Sequence, residues 1–78
     1  MTVAAFVLIQ TDMDKAGAVA AEISALEGVV MADVVTGPYD IIAKAEAETM
    51  DELGALVISR LQMIPGITRT LTNPVVNL

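Results

Sequence analysis

The chain has neither cysteine nor histidine among its 78 residues, and Phe6 and Tyr39 are its only aromatic residues. Without cysteine it has no disulfide and no thiol nucleophile, and without histidine it lacks the usual general base and the commonest metal ligand. The shortage of aromatic rings also counts against a site for haem or for a large flat substrate. The composition therefore gives little support to an enzyme, and we predict no cofactor and no metal.

Long hydrophobic runs and basic clusters are missing as well. The longest apolar run, residues 3–9, has seven residues, whereas a helix needs about 20 to span a bilayer. No basic segment precedes this run, so we expect no signal peptide. Ten acidic residues against four basic ones give a net charge of −6, and a nucleic-acid backbone requires a clustered basic surface. We predict a cytoplasmic protein that binds neither a membrane nor DNA by itself.

Apolar residues, in contrast, are abundant. They make up 55% of the chain, and charged residues only 18%. A domain of this size buries only about 60% of its unfolded surface, so its core does not require so many apolar side chains. The excess predicts that part of the surface contacts another copy of the chain.

The apolar pattern predicts six elements in the order strand, helix, strand, strand, helix, strand. The strands are expected at residues 2–10, 29–36, 41–47 and from 67 onward, with helices beginning after residues 11 and 49. Two βαβ halves of this length give an α+β, ferredoxin-like fold with an antiparallel sheet and both helices on one face. Both faces of the first strand are apolar, which is typical of a central strand. A second subunit is expected to cover the other face, sheet against sheet.

Polar residues mark the start of each predicted helix. Thr11 or Asp12 is predicted to cap the first helix, and Thr49 with Glu52 forms a capping box at the second. The apolar stripe of the second helix consists of Met50, Leu53, Val57, Leu61 and Ile64, widened by Leu56 and Met63. Ile58 lies off this stripe and is predicted to be exposed or at a subunit contact.

The segment Gly37-Pro38-Tyr39-Asp40 separates two runs rich in valine and isoleucine, a pattern that predicts a β-hairpin. Pro38 suits the second position of a tight turn because its φ is fixed and it has no N–H. An α-amino acid presents an ammonium and a carboxylate close together. Asp40 can accept hydrogen bonds from the ammonium of the amino acid. N–H groups around Gly37 and Tyr39 can donate hydrogen bonds to the carboxylate of the amino acid. The alternative is a purely structural turn, with Asp40 satisfying its backbone.

Four stretches together resemble the ligand-binding (RAM) domain of the Lrp/AsnC family of transcription regulators. They are Phe6-Val7-Leu8-Ile9, Leu26-Glu27-Gly28-Val29, Val35-Thr36-Gly37-Pro38-Tyr39-Asp40, and Ile64-Pro65-Gly66-Ile67-Thr68-Arg69-Thr70. Their order and spacing carry the resemblance, which covers nearly the whole chain. Residues 1–78 are thus expected to form one stand-alone domain of this type without a helix-turn-helix.

This resemblance implies an assembly and a ligand. The family's domain forms dimers whose sheets face each other as a dimeric αβ-barrel, and the dimers assemble further, often to octamers or decamers. Small effectors, commonly amino acids, bind between dimers. The hydroxyls of Thr68, Thr70 and Thr72, which alternation places on one face of the last strand opposite Ile67 and Leu71, are then expected to complete a pocket with Gly37–Asp40. A full-length Lrp/AsnC regulator is a further partner that the resemblance suggests.

Two other functions agree with the same order of elements. One is a small dimeric αβ-barrel enzyme that acts on an apolar metabolite inside the barrel, but fold analogy alone is weak support for it. The other is an amino-acid-binding regulatory domain of the ACT type, which usually accompanies an enzyme. A small-molecule-binding, non-enzymatic domain agrees best with the hairpin, the two apolar sheet faces and the expected lack of a helix-turn-helix.

Overall fold

Four strands and two helical segments follow one another in the predicted order. The structure is a computed structural model and describes residues 2–77, apart from the side chain of Leu56. The elements are β1 (Val3–Thr11), α1 (Ala16–Ser24), β2 (Val29–Val34), β3 (Ile41–Ala47), a second helical segment formed by α2 (Met50–Glu52), a π-helix (Leu53–Ile58) and α3 (Ser59–Gln62), and β4 (Ile67–Pro74). The predicted α+β, ferredoxin-like fold is confirmed.

The sheet has the strand order β2-β3-β1-β4, and neighbouring strands run antiparallel. β1 is therefore central, as predicted, and β2 and β4 form the two edges. Ile9 lies opposite Ile41 in β3 and opposite Thr70 in β4. The C-terminal end of β1 is thus flanked on one side by the turn before β3 and on the other by the start of β4.

One face of the sheet is buried under the helices. Alternate residues of the two central strands point to this face and are fully buried: Ala5, Val7 and Ile9 from β1, and Ile41, Ala43 and Ala45 from β3. The helices cover them with Val19, Ala20 and Ile23 from α1, and Leu53, Val57 and Leu61 from the second helical segment. Each buried Val, Leu or Ile side chain contributes about 1.5–3 kcal/mol, so this layer holds both helices on one face.

The first helix starts later than predicted. Thr11 is the last residue of β1, and the helix begins at Ala16 with Lys15 as its N-cap residue and no side-chain cap. The Asp12 N–H donates to Gly66 O at 2.8 Å, while Thr11 pairs with Ile67 in β4. The prediction that Thr11 or Asp12 caps α1 is wrong, because hydrogen bonds to β4 and the turn before it hold both residues.

The second helical segment begins where the capping box predicted. Thr49 is the N-cap residue of α2, and its hydroxyl oxygen accepts a hydrogen bond from the Glu52 N–H at 3.1 Å. None of the helices in the described part of the chain is long and apolar enough to cross a membrane.

A π-helix then changes which residues face the core. Its i→i+5 bonds place residues five apart above one another, and the Ser59 N–H and hydroxyl both donate to Gly54 O. Ile58 is half-buried and contacts the core, so its predicted position off the apolar stripe is wrong. Met63 does not widen the stripe, because it is 82% exposed. The predicted contribution of the Leu56 side chain lies outside the described residues.

The last strand contains a bulge that separates the three threonines. Thr70 lies opposite Ile9 and Thr72 opposite Val7, so both lie on the helix-covered face. The register shifts next to Thr11, which pairs with Ile67 instead of Thr68. Thr68 is therefore the extra residue of a bulge. The prediction that Thr68, Thr70 and Thr72 share one face opposite Ile67 is wrong, since Ile67 packs on the core.

Candidate functional site

The turn at residues 37–40 connects two strands at the end of the sheet where β1 finishes. β2 ends at Val34, two residues before the predicted end, and the Val35 N–H donates to Asp40 O at 2.8 Å to close the loop. Gly37 has a φ of +134°, and a Cβ built on it would meet nothing within 4 Å. Gly37 and Pro38 are exposed, whereas Tyr39 and Asp40 are half-buried. The turn thus leaves the Gly37 backbone open to a small molecule.

Asp40 fixes this turn to the central strand. Its N–H donates to Ile9 O at 2.8 Å. Its Oδ2 atom accepts from the Thr11 N–H at 2.9 Å and from the Thr11 hydroxyl at 3.4 Å. The carboxylate therefore has a structural role, as in the alternative of a purely structural turn. The backbone group that it binds, however, is in β1 and not in the turn itself. Both contacts of the carboxylate use Oδ2.

Gln10 makes a second connection between β1 and the turn. Its amide nitrogen Nε2 donates to Pro38 O at 2.9 Å. Sequence reasoning did not assign Gln10 or Thr11 to the site. The available signal was that two polar residues end a strand that is otherwise apolar, which marks them as candidates for contacts at the rim of the sheet.

The structure separates the predicted threonines from one another. Thr68 is exposed in the bulge beside Thr11, close in the fold to the Asp40 end of the sheet. Thr70 and Thr72 are half-buried on the helix-covered face, where the Thr70 hydroxyl accepts from Gln62 Nε2 at 3.1 Å. Of the three threonines, Thr68 therefore lies nearest to Thr11 in the strand register. Thr11 is the residue that is hydrogen-bonded to Asp40.

Two surface cavities lie away from the turn. One, of about 260 Å³, lies between the β1–α1 loop and the turn before β4, and is lined by residues that include Lys15, Glu22 and Gly66. The other, of about 430 Å³, is lined by residues that include Glu27, Glu46, Glu48 and Arg60. Neither is lined by residues 37–40. Within residues 2–77, Gly37 and Pro38 are exposed, so the turn is part of the open surface of one chain.

A second candidate surface is the sheet face opposite the helices, called here the open face. Its apolar residues are Phe6, Leu8, Met31, Ile42 and Leu71. Phe6 in the central strand β1 is 39% exposed and Leu71 in the edge strand β4 is 43% exposed, which is high for large apolar side chains. Lys44 belongs to the same face, with Nζ 5.6 Å from the centroid of the Phe6 ring. An uncovered apolar surface of this kind marks an interaction site.

Comparison with known proteins gives a match over nearly the whole chain. The family model described as the Lrp/AsnC ligand binding domain matches residues 4–77. The uncharacterised HTH-type transcriptional regulator PF0250 of Pyrococcus furiosus is 38% identical over 71 residues, which are 87% of this chain and 47% of that protein. The chain spans about half the length of the curated relatives it matches.

Solved structures share the same fold. TTHA0845 from Thermus thermophilus superimposes with a TM-score of 0.88 at 30% identity, over 97% of this chain and 95% of that one. E. coli AsnC gives a TM-score of 0.86 at 27% identity, over 97% of this chain and 52% of that one. The transcriptional regulator NMB0573 from Neisseria meningitidis, at 19% identity, gives 0.81 over 96% of this chain and 50% of that one, which is a likeness of fold.

Proposed function

Because the chain belongs to the Lrp/AsnC ligand-binding domain family, we propose that it is an effector-binding and oligomerisation domain that modulates transcription regulators of this family. The observation that carries the proposal is the family match over residues 4–77, in a fold that leaves one apolar sheet face uncovered. The family is that of a regulatory domain, and we propose a non-enzymatic, cytoplasmic protein.

An amino acid is the proposed effector. NMB0573, which shares the fold, was crystallised as a complex with L-Met. In this chain, Thr11 uses only the Oδ2 atom of Asp40, which leaves Oδ1 to accept from an ammonium group. The backbone N–H groups near the exposed Gly37 and Pro38 are proposed to bind the carboxylate, with Tyr39 as an apolar wall.

The pocket is proposed to be completed by another subunit. The turn is an open surface in one chain, and the neighbouring exposed hydroxyl is that of Thr68. Thr70 and Thr72 are half-buried in β4 and are proposed to act indirectly by positioning this strand, since the Thr70 hydroxyl already accepts a hydrogen bond from Gln62. A ligand held between subunits would couple effector binding to assembly, because it binds the assembled form in preference to the separate chains.

The assembly proposed is a dimer of facing sheets that forms larger rings, with an octamer or a decamer as the expected size. The open face supplies the dimer interface, because Phe6, Leu8 and Ile42 lose their contact with water when a second sheet covers them. Curated relatives of about twice the length are named HTH-type transcriptional regulators. We therefore propose that this chain also forms mixed assemblies with such full-length regulators, without contacting nucleic acid or a membrane itself.

Native mass spectrometry with and without a mixture of the twenty amino acids tests this function. The expected result is an even-numbered assembly that gains one small mass per subunit. A ring that retains none of the twenty would contradict the amino-acid effector, while leaving the assembly correct. A chain that stays monomeric at micromolar concentration would contradict the proposed function as a whole.

A further inference from the structure

Lys44 and Glu46 lie on the central strand β3 of the open face, while Asp33 in β2 and Arg69 in β4 add one further charge of each sign on its edge strands, and we propose that the Lys44–Glu46 pair makes the face selective for a second copy of the chain. The inference rests on the proposed function, since it requires the dimer of facing sheets. Lys44 and Glu46 lie two residues apart on β3, and Lys44 Nζ is 3.7 Å from Glu46 Oε2. Their side chains are 35% and 37% exposed, so a covering surface would remove much of their remaining water.

Apolar residues lie opposite Lys44 on both neighbouring strands. Phe6 lies directly opposite Lys44 in β1, with its ring centroid 5.6 Å from Nζ, and Met31 lies opposite Lys44 in β2. Covering the face with a wholly apolar surface would desolvate the lysine and the glutamate without offering either a new partner. Such desolvation is costly for charges, even when they are already paired.

A second copy of the chain is the partner that matches both charges. Two identical faces related by a two-fold axis offer a second Glu46 to each Lys44 and a second Lys44 to each Glu46, and with Asp33 and Arg69 included the charges of the two faces sum to zero. A partner whose face lacked this balance would leave unmatched charge in a water-poor interface. The pair therefore selects the partner mainly because unmatched charge weakens binding to other faces, while burial of the apolar side chains drives the association.

Charge reversal separates this role from simple packing. Lys44→Glu places four carboxylates at positions 44 and 46 of a self-dimer, and Glu46→Lys places four ammonium groups at these positions. We expect each single variant to raise the dimer dissociation constant at least about a hundredfold, measured by sedimentation equilibrium and native mass spectrometry. An equimolar mixture of the two variants should form a heterodimer with an affinity close to that of the wild-type dimer, and the double variant should dimerise with itself.

Two variants on the helix-covered side serve as matched controls. Lys15→Glu and Glu22→Lys make the same changes in net charge at exposed positions at the N-cap of α1 and within it, and both should dimerise like the wild type. Recovery of the dimer in the mixture also shows that the single variants are folded, since an unfolded chain could not restore it.

The outcomes that would overturn the inference differ from those that overturn the proposed function. If the wild-type chain is a dimer and the single charge reversals dimerise as tightly, the Lys44–Glu46 pair does not select the partner. The same conclusion follows if the mixture fails to restore the dimer. If the wild-type chain itself is monomeric, the proposed function and this inference both fail.

Discussion

The Oδ2 atom of Asp40 accepts a hydrogen bond from the Thr11 backbone N–H at 2.9 Å. Thr11 is the last residue of β1, whereas β3 begins at Ile41. The carboxylate therefore continues the hydrogen bonding of the sheet beyond the paired part of these two strands. The residue proposed to bind the effector is in this way fixed to the central strand, which limits its motion before a ligand arrives.

Removal of this carboxylate should destabilise the fold. Asp40→Ala leaves the half-buried Thr11 N–H without its acceptor, and we expect the free energy of unfolding to fall by about 1–2 kcal/mol. Urea denaturation at a fixed protein concentration measures the change. Thr11→Val is the matched control: it removes only the 3.4 Å hydroxyl contact, which is long for a hydrogen bond, so its effect should stay below about 0.5 kcal/mol. An Asp40→Ala chain as stable as the wild type would show that the bond does not support the turn.

Asparagine at the same position separates the structural role from the binding role. Asp40→Asn keeps an oxygen that can accept from the Thr11 N–H but removes the negative charge. We expect a stability within about 1 kcal/mol of the wild type and an affinity weakened by about 1.5–3 kcal/mol, measured by calorimetric titration with the amino acid that the wild-type chain retains. Asp51→Asn, an exposed acid in α2, should leave the affinity unchanged. Equal affinities for Asp40→Asn and the wild type would place the ammonium site elsewhere.

The parts of the fold that the sequence predicts are those with local signals. The apolar run at residues 3–9 predicts a central strand, and β1 indeed lies between β3 and β4 in the sheet. The Thr49–Glu52 capping box likewise predicts where the second helical segment begins. Each of these signals depends on residues within one element, so no knowledge of distant contacts is needed.

The errors come from single extra residues and from distant contacts. The bulge at Thr68 and the π-helix that contains Ile58 each shift the face that later residues present, while the composition of the segment stays the same. Periodicity therefore identifies the type of element correctly but assigns some of its residues to the wrong face. The contact between Asp40 and Thr11 joins residues 29 apart in the chain, and nothing in a local pattern identifies such a partner.

Gly28 is a position where alanine should be poorly tolerated. Its φ is +95°, and an added Cβ would lie 2.6 Å from Val57 Cγ2 and 3.1 Å from Glu46 O. We expect Gly28→Ala to lower the free energy of unfolding by about 2–4 kcal/mol, since backbone strain and overpacking add. Gly17→Ala is the control, because Gly17 lies in α1 with nothing within 4 Å of an added Cβ. It should stabilise the chain by about 0.5–1 kcal/mol. Similar unfolding curves for the two variants would contradict this packing.

The π-helix makes a prediction that an unbroken α-helix would not make. In the structure Ile58 is half-buried and packs against core residues, so Ile58→Ala should lower the free energy of unfolding by about 1–3 kcal/mol. Met63→Ala, four-fifths exposed in the wild type, should change it by less than about 0.5 kcal/mol. Thermal and urea unfolding of the two variants in parallel provide the comparison. If instead Met63→Ala were costly and Ile58→Ala neutral, the second helical segment would have the α-helical phase, with Ile58 turned to solvent.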